Sequence, residues 1–252
     1  VIPNSVTSIG KNAFDGCTGL TSVVIGNSVT SIGSLAFNSC TSLTSIVIPN
    51  SVTSIGSFAF YSCTGLKTVY NFSNLTLSKG SSGYGGVAYY ANNVYNVPNG
   101  SKEGDFIFGK PNDISTLILY LGNETELTLP ADYKGEGYAI GESAFEGNKT
   151  ITSITIPNSV TSIEEDAFYN CDGLKTVINL SNLTFSKGSY DYGYIARYAD
   201  KVYNANNGLI EGDYIFGKPN NVNTLLFYLG NETELTLPAD YKGESYAIGE
   251  NV

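Results

Sequence analysis

Four cysteines are the residues whose type and spacing first suggest chemistry. Cys17, Cys40 and Cys63 follow one another at intervals of 23 residues, and Cys171 is the fourth. A row of thiols could form disulfides or bind a soft metal ion. Zinc ligands, however, converge on one point and commonly include close Cys pairs, which are missing in this sequence. We therefore predict buried structural cysteines and no metal site, and we expect Asn148 to fill the equivalent position further along the chain.

Two other patterns resemble catalytic motifs. The stretch Gly104–Lys110 matches the first seven letters of a phosphate-binding P-loop, but Pro111 follows where a Ser or Thr must contact the metal. Glu124 and Glu126 could serve as a carboxylate pair in glycoside hydrolysis, or several acids could bind calcium. This pair recurs 108 residues later with its surroundings, so duplication of a scaffold explains it. We predict no catalytic residue, no metal and no cofactor.

The composition of the 252 residues disfavours several classes of function. Histidine is absent, so the commonest general base and neutral metal ligand is missing. There are 23 acidic and 13 basic residues, and this net charge of −10 argues against binding to nucleic acid or to an anionic membrane surface. No run of 18 apolar residues predicts membrane insertion. Without an initiator Met or a visible signal peptide, we expect a fragment whose signal and anchor lie elsewhere.

A repeat of 23 residues must position all of these side chains. The unit reads I-G-x-x-A-F-x-x-C-x-x-L-x-x-I/V-x-I-P-x-S-V-T-S and starts at Ile9, Ile32 and Ile55, and again at Ile140 and Ile163. Its alternating apolar residues predict a short strand, which the proline ends. One unit cannot bury its own apolar face, so units must stack. The predicted fold class is a repeat solenoid: a β-rich, right-handed leucine-rich-repeat coil with short strands, few or no long helices, and hairpin-like inserts.

A second period of 108 residues separates regular repeats from longer inserts. Thr116–Ala144 and Thr224–Val252 are identical at 24 of 29 positions. The residues that exceed four units of 23 lie in Tyr-rich stretches, where alternation around a Gly-Lys-Pro-Asn turn predicts a β-hairpin or a modified coil. We expect a single solenoid over 1–252, with regular repeats at about 1–71 and 140–179 and Tyr-rich variant coils at about 72–139 and 180–247.

The regular units resemble the BspA-like proteins, which are built on the Treponema-type leucine-rich repeat. The resemblance covers about 9–71 and 140–179 and rests on the 23-residue spacing with the Ala-Phe pair and the Cys. The Tyr-rich inserts are less similar, although their GDFIF…YLGN…LTLP segment also looks like a variant coil of such proteins. The resemblance implies an exported or cell-surface protein, bacterial or in some cases protozoal, that acts in adhesion and host contact. It supplies no catalytic residue.

Two surfaces are candidates for binding. Repeat proteins commonly bind through the outward positions of their sheet, which here are Val24, Val47, Tyr70, Thr155 and Ile178. The second surface is the inserts, because 17 of the 19 tyrosines lie within 70–138 and 190–246 and tyrosine combines contact area with a polar tip. The candidates there are Tyr84, Tyr89, Tyr190, Tyr192 and Tyr194. Packing of irregular coils is the alternative explanation for these tyrosines.

We therefore expect a non-enzymatic, adhesin-like protein that is displayed on the cell surface or secreted. Its partner would be an extracellular protein or glycan, and we expect a monomer with no nucleic-acid partner. A structural spacer that holds another domain away from the cell is the alternative, because duplication suits a stalk as well as a binder. A carbohydrate-active enzyme ranks third.

Overall fold

The computed structural model describes residues 1–230, 232 and 235–249, which divide into two compact units, Val1–Ser101 and Lys102–Val252. Regular structure in the described residues consists of short β-strands and 3-10 turns of three residues. This confirms the predicted solenoid with short strands and no long helix. The single domain expected over 1–252 stays a prediction. No helix in the described part of the chain is long and apolar enough to cross a membrane.

The first unit stacks its coils so that strands from successive coils pair in parallel. One sheet has the order β1-β2-β4, and Ser8, Ser31 and Ser54 lie side by side in it. The other sheet has the order β3-β5-β6. The strands of this unit are β1 (Ser8–Ile9), β2 (Ser31–Ile32), β3 (Ser45–Ile48), β4 (Ser54–Ile55), β5 (Thr68–Asn71) and β6 (Asn93–Asn96).

The Ala-Phe pair of each repeat forms the turn that closes a coil. The alanines and phenylalanines of the second and third coils are fully buried. Each Phe ring stacks on the ring of the next coil, with centroids 5.0 Å apart for Phe14 and Phe37 and 5.1 Å apart for Phe37 and Phe60. A small residue followed by an aromatic one is needed here because the turn backbone passes close to the neighbouring coil while the ring fills the interior.

The second unit contains sheets of four or five strands. Their orders are β13-β11-β9-β8-β7, β10-β12-β14-β15 and β16-β17-β18-β19. The remaining strands are β7 (Ser101–Glu103), β8 (Phe106–Gly109), β9 (Thr116–Tyr120), β10 (Glu126–Thr128), β11 (Tyr138–Ile140), β12 (Ser153–Ile156), β13 (Val160–Ile163), β14 (Thr176–Asn179), β15 (Lys201–Asn204), β16 (Leu209–Glu211), β17 (Tyr214–Gly217), β18 (Thr224–Tyr228) and β19 (Ala247–Ile248). The 3-10 turns of the chain are Tyr84–Gly86, Pro111–Asp113, Tyr192–Tyr194 and Pro219–Asn221.

Each Gly-Lys-Pro-Asn segment turns a β-hairpin, as the alternating pattern predicts. β8 pairs antiparallel with β9, and β17 with β18. The hairpin then continues the solenoid, because β9 pairs in parallel with β11. The Tyr120 N–H donates to the Ala144 carbonyl at 3.0 Å, and its ring lies 5.3 Å from that of Phe145. Tyr120 thus takes the place that a Phe occupies in a regular coil.

A buried asparagine ladder holds the start of each Tyr-rich insert. Asn71 is fully buried, and its amide donates to Asn96 Oδ1 at 2.7 Å and to the Leu75 carbonyl. Its Oδ1 accepts from the Ser73 hydroxyl at 2.6 Å. Asn179 and Asn204 repeat the pairing at 2.9 Å in the second unit. Because a buried amide must be satisfied, these bonds determine how the chain leaves the strand and enters the insert.

Candidate binding surface

One turn position in every regular coil directs a variable side chain away from the core. The residue before the alanine of the Ala-Phe pair has a positive φ, between 56° and 59°, in five coils, and none of these residues is buried. The left-handed region costs an ordinary residue about 1–2 kcal/mol. In four of these coils the following alanine is buried and limits relaxation, while Ala13 in the first coil is exposed. The five residues differ: Asn12, Leu35, Phe58, Ser143 and Asp166.

The first Tyr-rich insert rebuilds this turn with other residues. Tyr84 has the positive φ, at 47°, and Gly85 takes the alanine position. The Phe60 N–H donates to the Gly85 carbonyl at 2.8 Å, as the equivalent bond does between regular coils. A Cβ on Gly85 would lie 2.7 Å from the Ala59 Cβ and would collide with the Gly56 carbonyl oxygen. Only glycine allows this coil to stack.

The second insert has the same backbone. Tyr192 has a φ of 50°, and the following Gly193 accepts the Phe168 N–H at 2.7 Å. A Cβ on Gly193 would lie 2.8 Å from that of Ala167. The inserts are therefore variant coils of the solenoid, and the residues around these turns are presented in equivalent positions in the two units.

Four side chains around the turn of the first unit form what we call the first aromatic cluster: Phe58, Tyr61, Tyr89 and Tyr90. The rings of Phe58 and Tyr61 are 5.6 Å apart at 84°, and those of Tyr89 and Tyr90 are 4.9 Å apart at 85°. Phe58, Tyr61 and Tyr89 are 60%, 57% and 52% exposed. They line a groove of about 240 Å³ together with Phe60, Ser82, Gly85, Gly86 and Tyr90. The lining is mostly apolar and contains no charged residue.

The equivalent turn of the second unit carries the second aromatic cluster: Tyr169, Tyr190, Tyr194, Tyr198 and Arg197. The ring of Tyr194 lies 5.6 Å from that of Tyr169 and 5.7 Å from that of Tyr190. The Arg197 guanidinium is 4.2 Å from the Tyr190 ring centroid and 5.5 Å from that of Tyr198, a cation–π arrangement. This cluster is charged, and its aromatic rings contact one another.

Four outward positions account for the difference between the clusters. The buried residues of the turn are retained or conservatively changed 108 positions later, whereas Phe58, Ser82, Gly86 and Tyr89 become Asp166, Tyr190, Tyr194 and Arg197. Tyr194 keeps the left-handed conformation of its counterpart, at φ 69° against 76° for Gly86. Backbone strain that persists in a large residue is a reason to suspect function. The duplication has kept the scaffold and altered what it presents.

The sheet-face candidates fare differently in the two units. Val24 is 59% exposed, Val47 and Tyr70 are partly exposed, and the Tyr70 ring stacks on Tyr95 at 5.6 Å. Partial burial raises the pKa of Tyr70. The expectation that Thr155 and Ile178 line an open face is wrong, because both are buried.

Packing explains this burial. Ile178 contacts a cluster that includes Ile215 of β17 and partly buried residues of β18, so the second hairpin covers this part of the sheet. Thr155 is paired with Ile178 in the sheet register. The hairpin therefore keeps Ile178 from meeting a ligand, and Thr155 is itself 8% exposed.

Of the tyrosine candidates, Tyr84, Tyr89 and Tyr190 are exposed, while Tyr192 and Tyr194 are half-buried. Tyr192 packs against the core, with its ring 5.2 Å from Phe185, so packing is the better explanation for it. The sequence interpretation missed Phe58, Tyr61, Tyr169, Tyr198 and Arg197. Tyr90 was missed as well. Phe58, Tyr61 and Tyr169 stand beside an Ala-Phe pair, which is a signal that the sequence contains.

The cysteine column is structural where coils lie on both sides. Cys40, Cys63 and Cys171 are buried free thiols, and burial raises the pKa of Cys63 to about 12. The expectation of burial is wrong for Cys17, which is exposed. Asn148 takes the equivalent place, and its Oδ1 accepts the backbone N–H groups of Thr150 and Ile151. The described residues contain no group of three or more acidic or cysteine side chains placed to hold a metal ion.

Comparison with protein families gives a match to the BspA type leucine rich repeat region, in six copies over residues 1–84 and 122–195. A leucine rich cell surface protein of Faecalibacterium prausnitzii is 22% identical, over 81% of this chain and 58% of its own, with a TM-score of 0.33. A leucine-rich repeat protein of Bacteroides ovatus is 25% identical, over 80% of this chain and 53% of its own, with a TM-score of 0.32.

A leucine-rich repeat protein of Bacteroides capillosus is 28% identical over 41% of this chain and 96% of its own, with a TM-score of 0.31. This chain spans little more than half the length of the Faecalibacterium and Bacteroides ovatus proteins. The search of curated proteins found no match.

Proposed function

The chain belongs to the family of proteins with BspA-type leucine-rich repeats, and from that premise we propose that it is a non-enzymatic, adhesin-like binding protein of a bacterial cell surface. Its ligand is an extracellular protein or glycan, held through the aromatic clusters at the turns of the two units. The observation that carries the proposal is the exposure of Phe58, Tyr61 and Tyr89 around one groove.

Exposed aromatic rings favour binding over a purely structural role. Leaving an aromatic side chain exposed to water is less favourable than exposing a small polar one, and exposed aromatic clusters mark interaction sites. A spacer would gain nothing from such a cluster. The duplicated turns also differ at outward positions such as Phe58 and Asp166 while the buried alanines are unchanged. The two turns therefore present different surfaces to a ligand.

Two carboxylates, those of Glu136 and Asp172, have pKa values shifted in the direction opposite to that of a general acid. A general acid working near neutral pH needs a raised pKa. Glu136 instead accepts hydrogen bonds from Lys110 Nζ and from the Ser115 hydroxyl, both at 3.0 Å, and these partners lower its pKa. Asp172 pairs with Lys149 at 2.8 Å, and its pKa is likewise lowered. Both acids are therefore held as structural anions.

The test is a binding screen with variants that separate the two surfaces. The protein is applied to immobilised matrix proteins, mucins and a glycan array. For each ligand that binds, the affinity is compared between the wild type, Tyr61→Ser/Tyr89→Ser for the first cluster, and Tyr190→Ser/Arg197→Ser for the second. Val24→Ser is the control that removes an exposed apolar side chain from the sheet face.

We expect the affinity for at least one ligand to fall tenfold or more in a cluster variant and to be unchanged in Val24→Ser. Circular dichroism and thermal unfolding verify that each variant is folded. Loss of affinity in Val24→Ser alone would indicate that the ligand binds to the sheet face. Equal binding by all variants, or no binding at tens of micromolar protein, would favour the spacer and contradict the proposal.

A further inference from the structure

We propose that the groove of the first aromatic cluster binds an extended, proline-rich peptide segment, and that the second cluster does not. The inference rests on the proposed binding function and specifies the ligand class of one site. It follows from the shape of the groove, from the chemistry of its lining, and from the changes that separate the two units.

The aromatic rings of the groove suit a ligand that carries rigid rings of its own. The two ring pairs, Phe58–Tyr61 and Tyr89–Tyr90, each meet nearly at right angles, so the cluster offers ring surfaces in two orientations. Gly85 and Gly86 leave backbone, without side chains, between them. A polyproline II segment presents rigid pyrrolidine rings at regular intervals, and aromatic-lined grooves are the usual docking sites for such segments.

The lining selects against charged and strongly polar ligands. It contains no charged side chain, and Ser82 is its only non-aromatic side chain besides the glycines. Burying a hydroxyl or amide without a partner costs roughly 1–3 kcal/mol by protein mutational data. A sugar could lay its C–H face on a ring, but the hydroxyl groups around its edge would find only Ser82 and the tyrosine hydroxyls among the side chains of this lining. A proline carries no N–H group, so it loses the fewest hydrogen bonds when its ring enters an apolar groove.

The tyrosine hydroxyls supply the polar contacts that such a peptide needs. Those of Tyr61, Tyr89 and Tyr90 make no hydrogen bond within the part of the chain that the structure describes. Carbonyl groups of a polyproline II segment are likewise not engaged within the segment. Phenol donors beside an apolar slot therefore match peptide carbonyls beside proline rings.

The second unit presents different side chains at the equivalent place. Tyr194 stands where Gly86 leaves space, and its ring contacts Tyr190, which replaces Ser82. Arg197 replaces Tyr89 and lies over the Tyr190 ring at 4.2 Å. A proline ring would have to displace a cation–π pair and enter a charged site. The duplication therefore yields two sites of different specificity, and one peptide per chain.

The experiment measures binding of fluorescein-labelled decaproline by fluorescence anisotropy. The competitors are unlabelled decaproline, a peptide of the same length with alternate prolines replaced by alanine, chitotetraose and maltotetraose. We expect a Kd on the order of 100 μM for decaproline, because one short groove contributes limited area. We expect much weaker competition by the alanine-containing peptide and none by either sugar.

The matched variants are Gly86→Tyr and Gly16→Tyr. Both glycines have a positive φ, 76° and 72°, and added side chains would meet little or nothing, but only Gly86 lines the groove. Tyr194 shows that a tyrosine is tolerated in this conformation. We expect Gly86→Tyr to weaken decaproline binding at least tenfold and Gly16→Tyr to change it less than twofold.

Equal binding by wild type and Gly86→Tyr, or displacement of the peptide by a sugar, would overturn the inference. If decaproline does not bind but a matrix protein or glycan loses affinity in the Tyr61→Ser/Tyr89→Ser variant, the inference fails while the proposed function stands. If no ligand responds to either cluster, both fail.

Discussion

The thiol of Cys63 donates a hydrogen bond to the carbonyl oxygen of Phe37, 3.0 Å away in the preceding coil. Cys171 makes the same bond to Phe145 at 3.0 Å, and Cys40 to Phe14 at 3.3 Å. Each of these carbonyls also accepts a backbone N–H, as the Phe37 carbonyl does from Cys40 at 3.3 Å, so the thiol supplies a second hydrogen bond to it. The cysteine column is therefore part of the hydrogen bonding between coils.

The cysteines should differ sharply in reactivity. Burial raises the pKa of Cys63 to about 12 and that of Cys171 to about 11, so at pH 8 the Cys63 thiolate fraction is about one in ten thousand. We expect iodoacetamide at pH 8 to modify the exposed Cys17 and spare the other three in the native protein. Mass spectrometry of peptides checks the sites.

Denaturation provides the control for this prediction. In guanidinium chloride all four thiols should react at similar rates, because the desolvation that raises the pKa values is lost on unfolding. Rapid labelling of Cys63 in the native protein would contradict the buried column.

The two neighbouring glycines of the first insert should respond very differently to the same change. Gly85→Ala places a Cβ against the neighbouring coil, whereas Gly86→Ala meets only Tyr89 Cβ at 3.9 Å. We expect Gly85→Ala to lower the free energy of unfolding by on the order of 3 kcal/mol and Gly86→Ala by about 1 kcal/mol, the cost of the left-handed conformation alone. Guanidinium unfolding measures both. Equal effects would contradict close stacking at Gly85.

The asparagine ladder should contribute to stability through satisfied amides. Asn71→Leu removes the partner of Asn96 and of the Ser73 hydroxyl in a buried place, so we expect a loss on the order of 3 kcal/mol in the free energy of unfolding. Asn74→Leu, at an exposed position nearby, should change stability by about 0.5 kcal/mol or less. Urea denaturation of the two variants checks the difference, and comparable losses would show that the ladder is unimportant.

The second cluster should acquire peptide binding when its outward residues are replaced by those of the first. The changes are Asp166→Phe, Tyr190→Ser, Tyr194→Gly and Arg197→Tyr, which restore an uncharged groove on the same backbone. Isothermal titration with decaproline should then give two sites per chain instead of one. Adding Gly86→Tyr to this variant should return the count to one. An unchanged stoichiometry would mean that these four positions do not determine specificity.

The repeat and its hairpins could be predicted because their signals are local and recur. Alternation of polar and apolar residues, as in Ser45–Ile48, indicates a strand without any knowledge of distant contacts. A 23-residue period requires the units to stack. The burial of Ile178 could not be predicted in this way. It depends on Ile215, 37 positions later, folding back over the sheet. The Asn71–Asn96 bond likewise joins residues whose pairing follows only from the insert's length.

The outward residues at the Ala-Phe turns escaped sequence interpretation for another reason, although Tyr89, Tyr190 and Tyr194 of the clusters were predicted. The position before the alanine accepts Asn12, Leu35 or Phe58, so no residue type announces the left-handed turn. Tyrosine density indicated the inserts correctly, but it could not separate Tyr192, which packs, from Tyr190, which is exposed. That distinction depends on which way the backbone turns at each residue.

A change of the left-handed residue before each alanine alters the surface of the coil with little effect on its stability. A mutation there changes what a partner meets without altering the Phe stack beneath it, so drift at this position carries little folding penalty. Gene duplication or unequal crossing-over can then exchange whole coils, each with its own outward residue, and the resulting chain can still fold. Each coil thus keeps the same buried frame, while its one outward residue at the turn can change independently of the other coils.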